Sequence, residues 1–104
     1  MDLLIILHAL SARDLLGLLD SICSRRGVSR EELCGRGRTQ PVARARHELW
    51  WSLRHHPQHH FTYQEIGRIF GRNHSSILHG VRGFQRAQRE LLAPRSRASL
   101  GWLR

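Results

Sequence analysis

The sequence contains no lysine: all 17 of its basic residues are arginine, set against 8 acidic ones. That absence removes lysine-based phosphate loops and Schiff-base chemistry together. Cysteine is almost as scarce. Cys23 and Cys34 stand in a chain with no other mark of secretion, which fits reduced, half-buried thiols better than a bridge. No apolar run is long enough to span a bilayer. The most apolar stretch, MDLLIILHAL, carries Asp2 where a secretory leader would carry a cation, and no convincing cleavage site comes after it. Strand signals are nearly absent, no internal repeat is visible, and no G-x-x-x-x-G-K-[ST] occurs. These absences leave a single small domain of 104 residues, expected to be cytoplasmic, with no nucleotide, metal or other cofactor.

What the chain does have is charge of one sign, a formal +9 with a pI near 11.6. The planar guanidinium fork suits phosphate oxygens and guanine edges, so the bias favours a nucleic-acid partner, although a GC-rich genome would also write Arg for Lys. Between Ser11 and Ser24, Leu15, Leu18, Leu19 and Ile22 recur at helical spacing, with Ser11 as N-cap, Asp14 in the first turn and Gly27 as the stop. Residues 1–10 are apolar all round and form an extension that could lengthen this helix, pack on a partner or fray. VSREELCG reads as a short helix capped by Ser29 and Glu32. The basic loop GRGRTQ precedes a helix that has Pro41 in its first turn and runs to about His55. Val42, Ala45, Leu49 and Leu53 form its inner stripe; Arg44, His47, Trp51 and Arg54 fall opposite.

HHPQHH, residues 55–60, is a loop. Four histidines could bind a metal, but Pro57 interrupts any helical alignment and no Cys or carboxylate completes a site. Nor does the stretch match a histidine nuclease, and no enzymatic activity is expected. FTYQEIGRIFG shows full start and stop signals: a Thr62/Glu65 capping box, a Phe61/Ile66 staple and Gly71 as terminator. The last helix begins near Asn73 and runs to about Leu92, with Ile77, Val81, Phe84 and Gln88 on one face and Ser75, His79, Arg82, Arg86 and Arg89 on the other. Its interior glycines, Gly80 and Gly83, suggest close approach of another helix or a ligand. Pro94 is expected to end it, leaving 93–104 as a flexible basic tail. The fold class is therefore all-α, a small helical bundle containing a helix-turn-helix with a long recognition helix.

The stretch GRNHSSILHG, residues 71–80, sits at the start of that second helix. Asn73 serves as N-cap, while His74, Ser75 and Ser76 project from the exposed first turn, where free N–H groups and the helix dipole also favour a phosphate oxygen. Capping needs only one of these four polar residues. Reading bases would use the others.

R-N-H-S-S-I-L-H-G resembles the signature of the C-terminal DNA-binding domain of the bacterial replication initiator DnaA, close to G-G-R-D-H-S/T-T-V-L-H-A. VSREELCGRGRTQPVARARHELWWSLR and TYQEIGRIFG are similar to the same family, and the likeness covers residues 11–92. It implies a monomer that binds a short asymmetric duplex box such as TTATNCACA, with the major groove read by the signature turn and the minor groove by the basic loop. Asn73, His74 and Ser75 would then face bases in the major groove, and Arg38 bases in the minor groove. Ser76, His79, Arg46, His47 and Arg54 would face the backbone, with Arg72, Tyr63, Gln64 and Arg82 as further phosphate partners. A helical wheel places Arg46 toward the buried flank, in conflict with that role. Asn73 stands where the family has Asp; an amide can pair bidentately with adenine, so an altered preference is expected at that base pair. One glycine before Arg72 is missing, HHPQHH is longer than usual, and the ATPase module is absent. The expected function is a stand-alone, nucleoid-associated box binder that regulates replication initiation or transcription. The alternative is a protein-interaction adaptor of a replication or mobile-element complex, docking through the apolar N-terminal segment, with incidental non-specific DNA binding.

Overall fold

Residues 2–11, whose apolar run has no helical periodicity, form helix α1 (Asp2–Ser11) in the computed structural model, which describes the backbone of residues 2–101 and the side chains of residues 3–91. Ile6 and Leu10 of α1 are fully buried, so the segment is part of the core. Ser11 closes α1 and does not cap the next helix. The chain turns through Asp14, whose φ of 57° lies in the left-handed region, and α2 (Leu16–Arg26) starts later than the sequence predicts. The reason is local: the N–H of Leu15 returns to the Leu10 carbonyl at 2.8 Å, which folds residues 11–14 into a tight reversal. Gly27, with φ 67°, ends α2, and the Val28 N–H reaches back to the Cys23 carbonyl at 3.0 Å.

The capping boxes form as the spacing predicts. In α3 (Arg30–Cys34) the Glu32 N–H donates to Ser29 Oγ at 3.0 Å while the Ser29 N–H donates to Glu32 Oε1 at 2.9 Å. In α5 (Tyr63–Phe70) the Thr62/Glu65 pair does the same at 3.0 and 2.7 Å. Between them α4 (Gln40–Arg54) buries Val42, Ala45, Leu49 and Leu53, together with Trp50 and Arg46. Trp51, read from the wheel as outward, is half-buried instead, its ring stacked on His55 and 5.4 Å from Phe84. The last helix, α6 (His74–Gly101), packs on both α4 and α5.

Tight packing explains one interior glycine of α6. A Cβ on Gly80 would lie 2.7–2.8 Å from the Trp50 and His47 rings. Gly83 has open space around it. Gln88, read onto the packed face, is exposed. α6 continues past Pro94, where the sequence predicts a stop; a proline there removes one helical N–H donor. The flexible tail expected over 93–104 falls on residues whose side chains lie outside those described. Among the described residues there is no strand, and the fold is a small all-α domain. No helix of it is long and apolar enough to cross a membrane.

Candidate nucleic-acid interface

The turn from α5 to α6 is shaped by two glycines. Gly71 adopts φ 66°, a left-handed conformation that side chains resist. Gly67 faces the turn so closely that a Cβ would lie 2.6 Å from the Arg72 carbonyl oxygen, and the Arg72 N–H donates to the Gly67 carbonyl at 2.8 Å. The chain then enters α6 through Asn73, whose Oδ1 accepts the Ser75 N–H at 2.9 Å and whose own carbonyl accepts from Ser76 and Ile77. This cap orients the amide: Oδ1 is turned to the helix, and Nδ2 is the half left over as a donor. His74, Ser75, Ser76, His79 and Arg82 are all exposed, and among the described residues their side chains make no hydrogen bond or ion pair within the chain.

The basic loop lies against this turn. Arg36 Nη2 donates to the Gly71 carbonyl at 3.1 Å, and Arg72 Nη2 donates to the Gly35 carbonyl at 3.0 Å. The Arg72 guanidinium also sits 5.6 Å from the centre of the Trp50 ring. Arg38 is exposed. Farther along, Arg54 lies over the Tyr63 ring at 4.9 Å, both half-buried, with Gln64 exposed beside them.

Arg46 is placed differently from the expectation. It is 4 % exposed, and its Nε, Nη1 and Nη2 donate to the carbonyls of Leu33, Gly37 and Glu32 at 2.8, 3.0 and 3.1 Å. Two of those carbonyls belong to the end of α3, where the helix dipole is negative; the Glu32 carbonyl also accepts the Gly35 N–H at 3.3 Å. A guanidinium so engaged belongs to the protein interior, and Arg46 is withdrawn from the phosphate-facing set. The tie of Arg36 to the turn and the role of Gly67 carried no sequence signal; for Arg46 the helical wheel did.

His47 is half-buried against the Trp50 ring, 5.5 Å between centres. Burial first, then the charges of Arg46, Arg72 and Arg44, hold its imidazole below the ordinary value of 6.5. Its neutral form is thereby favoured. The folded state therefore binds this proton less readily than the unfolded chain, and stability should rise with pH between the lowered folded value and 6.5. Thermal unfolding at about pH 7.5 and about pH 5.5 is expected to show a lower Tm at the acid end, and His47→Gln a smaller drop; superimposable profiles would refute this. Among the described residues no group of three or more His, Cys, Asp or Glu is placed to hold a metal ion.

A polar, unpaired helix start held by a glycine-shaped turn, with arginines alongside, defines the class: a helix-turn-helix DNA-binding domain. Residues 18–83 match the family described as bacterial dnaA protein helix-turn-helix, and the chain belongs to that family. It is similar to the chromosomal replication initiator protein DnaA of Leptospira biflexa, with 32% identity over 68 residues and 65% of this chain covered. The DnaA proteins of Oleidesulfovibrio alaskensis, at 30% over 73 residues and 70% of this chain, and Kosmotoga olearia, at 32% over 65 residues and 62%, are comparable. The matches span only 14–15% of the length of these relatives. No solved structure matches the chain.

Proposed function

We propose that this domain binds double-stranded DNA sequence-specifically, as a monomer, at a short site like a DnaA box, and that it thereby controls replication initiation or transcription on the chromosome in the cytoplasm. The observation that carries the reading is the first turn of α6, where the side chains of His74, Ser75 and Ser76 are solvent-facing and, among the described residues, have no partner. Asn73, His74 and Ser75 read base edges in the major groove, and Arg38 enters the adjacent minor groove. Ser76, His79 and Arg82 on α6, His47 and Arg54 on α4, and Tyr63 and Gln64 on α5 meet the sugar–phosphate backbone. Because Asn73 Oδ1 serves the cap, its amide nitrogen is the group presented to a base, which favours an acceptor at that base pair over the cytosine amino group a carboxylate would take.

Selection of duplexes from a random pool, with titration of the selected site at several salt concentrations, tests this directly. A groove binder with about five or six phosphate contacts should show log K falling with log salt at a slope near −5. Ser75→Ala or His74→Ala should cost about 1–3 kcal/mol on the selected duplex and little on random DNA, whereas Arg54→Ala should weaken both alike. Equal losses on both DNAs for all three variants would overturn the assignment. A second reading has its own observation. Leu4 and Ile5 on α1 are 71% and 54% exposed, an apolar pair through which a protein partner could dock. In that case DNA binding would be weak and sequence-blind.

A further inference from the structure

We infer that Arg36 and Arg72 form a crossed latch that sets the register between the minor-groove loop and the recognition helix, and so makes the spacing within the DNA site part of what the protein recognises. The inference rests on the DNA-binding reading above and adds to it two positioning residues.

The two bonds are reciprocal. The loop arginine, Arg36, donates to the carbonyl of Gly71 in the turn at 3.1 Å, and the turn arginine, Arg72, donates to the carbonyl of Gly35 in the loop at 3.0 Å. Each arginine thus neighbours in sequence the carbonyl the other one uses. A charged donor on a neutral carbonyl is stronger than an ordinary hydrogen bond, and two in opposite directions resist both sliding and rotation. The loop is pinned on its far side too, by Arg46 on the Gly37 carbonyl at 3.0 Å. Gly35 itself is hemmed in: a Cβ there would lie 2.9 Å from the Glu31 carbonyl oxygen.

Arg38 comes immediately after the pinned stretch, and Asn73 immediately after the latched turn. The two base-reading elements are therefore held at one separation before DNA arrives, and binding pays less ordering entropy. A duplex offers its own fixed geometry, with each base pair adding about 3.4 Å of rise and one part in about 10.5 of a turn. A latched protein fits one spacing between the two sets of bases. An unlatched loop would adapt to others.

The competing role for these arginines is direct phosphate contact, and the two predict different observables. The experiment takes the full chain, wild type and Arg36→Gln, with Arg72→Gln as a second variant, on the selected duplex, on duplexes with one base pair inserted at each internal step in turn, and on random DNA. Circular dichroism melting confirms folding; Arg36 is exposed, so its variant keeps the test open if loss of the Arg72 contact with Trp50 unfolds the other. The wild type should lose about 100-fold or more for an insertion between the two contacted segments, and Arg36→Gln about 10-fold or less, with an unchanged salt slope. An insertion penalty that Arg36→Gln leaves at the wild-type value overturns the latch, most plainly if the slope shrinks by about 0.9, the mark of one lost phosphate contact. Wild-type protein that binds all the duplexes equally would instead sink the sequence-specific reading, and the latch with it.

Discussion

Arg46→Ala is expected to destabilise the domain by about 3 kcal/mol or more, seen as a fall in Tm of more than about 12 °C by circular dichroism. The substitution does more than delete three hydrogen bonds. It strands the buried Leu33 carbonyl, takes the guanidinium from the part-buried Gly37 carbonyl and leaves the Glu32 carbonyl with only the Gly35 N–H at 3.3 Å, at a site where the arginine was 4 % exposed. Each buried acceptor left without a donor costs about 1–3 kcal/mol. No carboxylate among the described residues pairs with this guanidinium, and burial together with the nearby charge of Arg72 draws its pKa below the ordinary arginine value. It is held by carbonyl dipoles alone. Arg46→Lys should recover only part of the loss, because an ammonium cannot present a planar fork to three separated carbonyls. A normal Tm with a salt slope for DNA binding reduced by about one unit would return Arg46 to the phosphate-facing set.

Gly67→Ala should cost a net 1–3 kcal/mol, roughly, and lower affinity for the selected duplex more than for random DNA. Alanine would ordinarily gain up to about 1 kcal/mol in a helix through its propensity. Here its Cβ would stand 2.6 Å from the Arg72 carbonyl oxygen, a backbone atom in a turn already tied to Gly67 by the Arg72 N–H. The turn must shift, and with it Asn73 and the first turn of α6, whose His74 nitrogen would lie 3.5 Å from the same Cβ. Gly83→Ala is the matched control. With nothing within 4 Å of its Cβ position, it should gain about 0.5–1 kcal/mol from the same propensity term. The same sign for both variants in thermal or urea unfolding would refute the close approach at Gly67.

Helix ends were legible where they depend on neighbours in sequence. Ser29 with Glu32, Thr62 with Glu65, and the left-handed glycines at 27 and 71 all behave as their spacing predicts, because each bond joins residues a few positions apart. Ser11 misled because the same residue type that opens a helix can close one; beyond it the chain reverses through Asp14. Gly80 and Gly83 looked alike in sequence. Only Gly80 meets another helix, since which glycine lies under Trp50 depends on how α6 crosses α4. The phase of α4 predicts an outward Trp51, yet α6 brings Phe84 against it.

By itself the sequence determined where most helices start and stop, the polar opening of α6, the arginine excess and the family. These arise from short-range bonds, helical periodicity and composition, which the chain carries wherever it folds. Only the tertiary structure decided which acceptors the protein-bound arginines meet. Arg46 finds the Leu33 carbonyl 13 positions away, Arg36 reaches the Gly71 carbonyl across 35 and Arg72 the Gly35 carbonyl across 37. A guanidinium on a long flexible stem goes to whatever acceptors the fold sets within its reach, and those acceptors come from other elements.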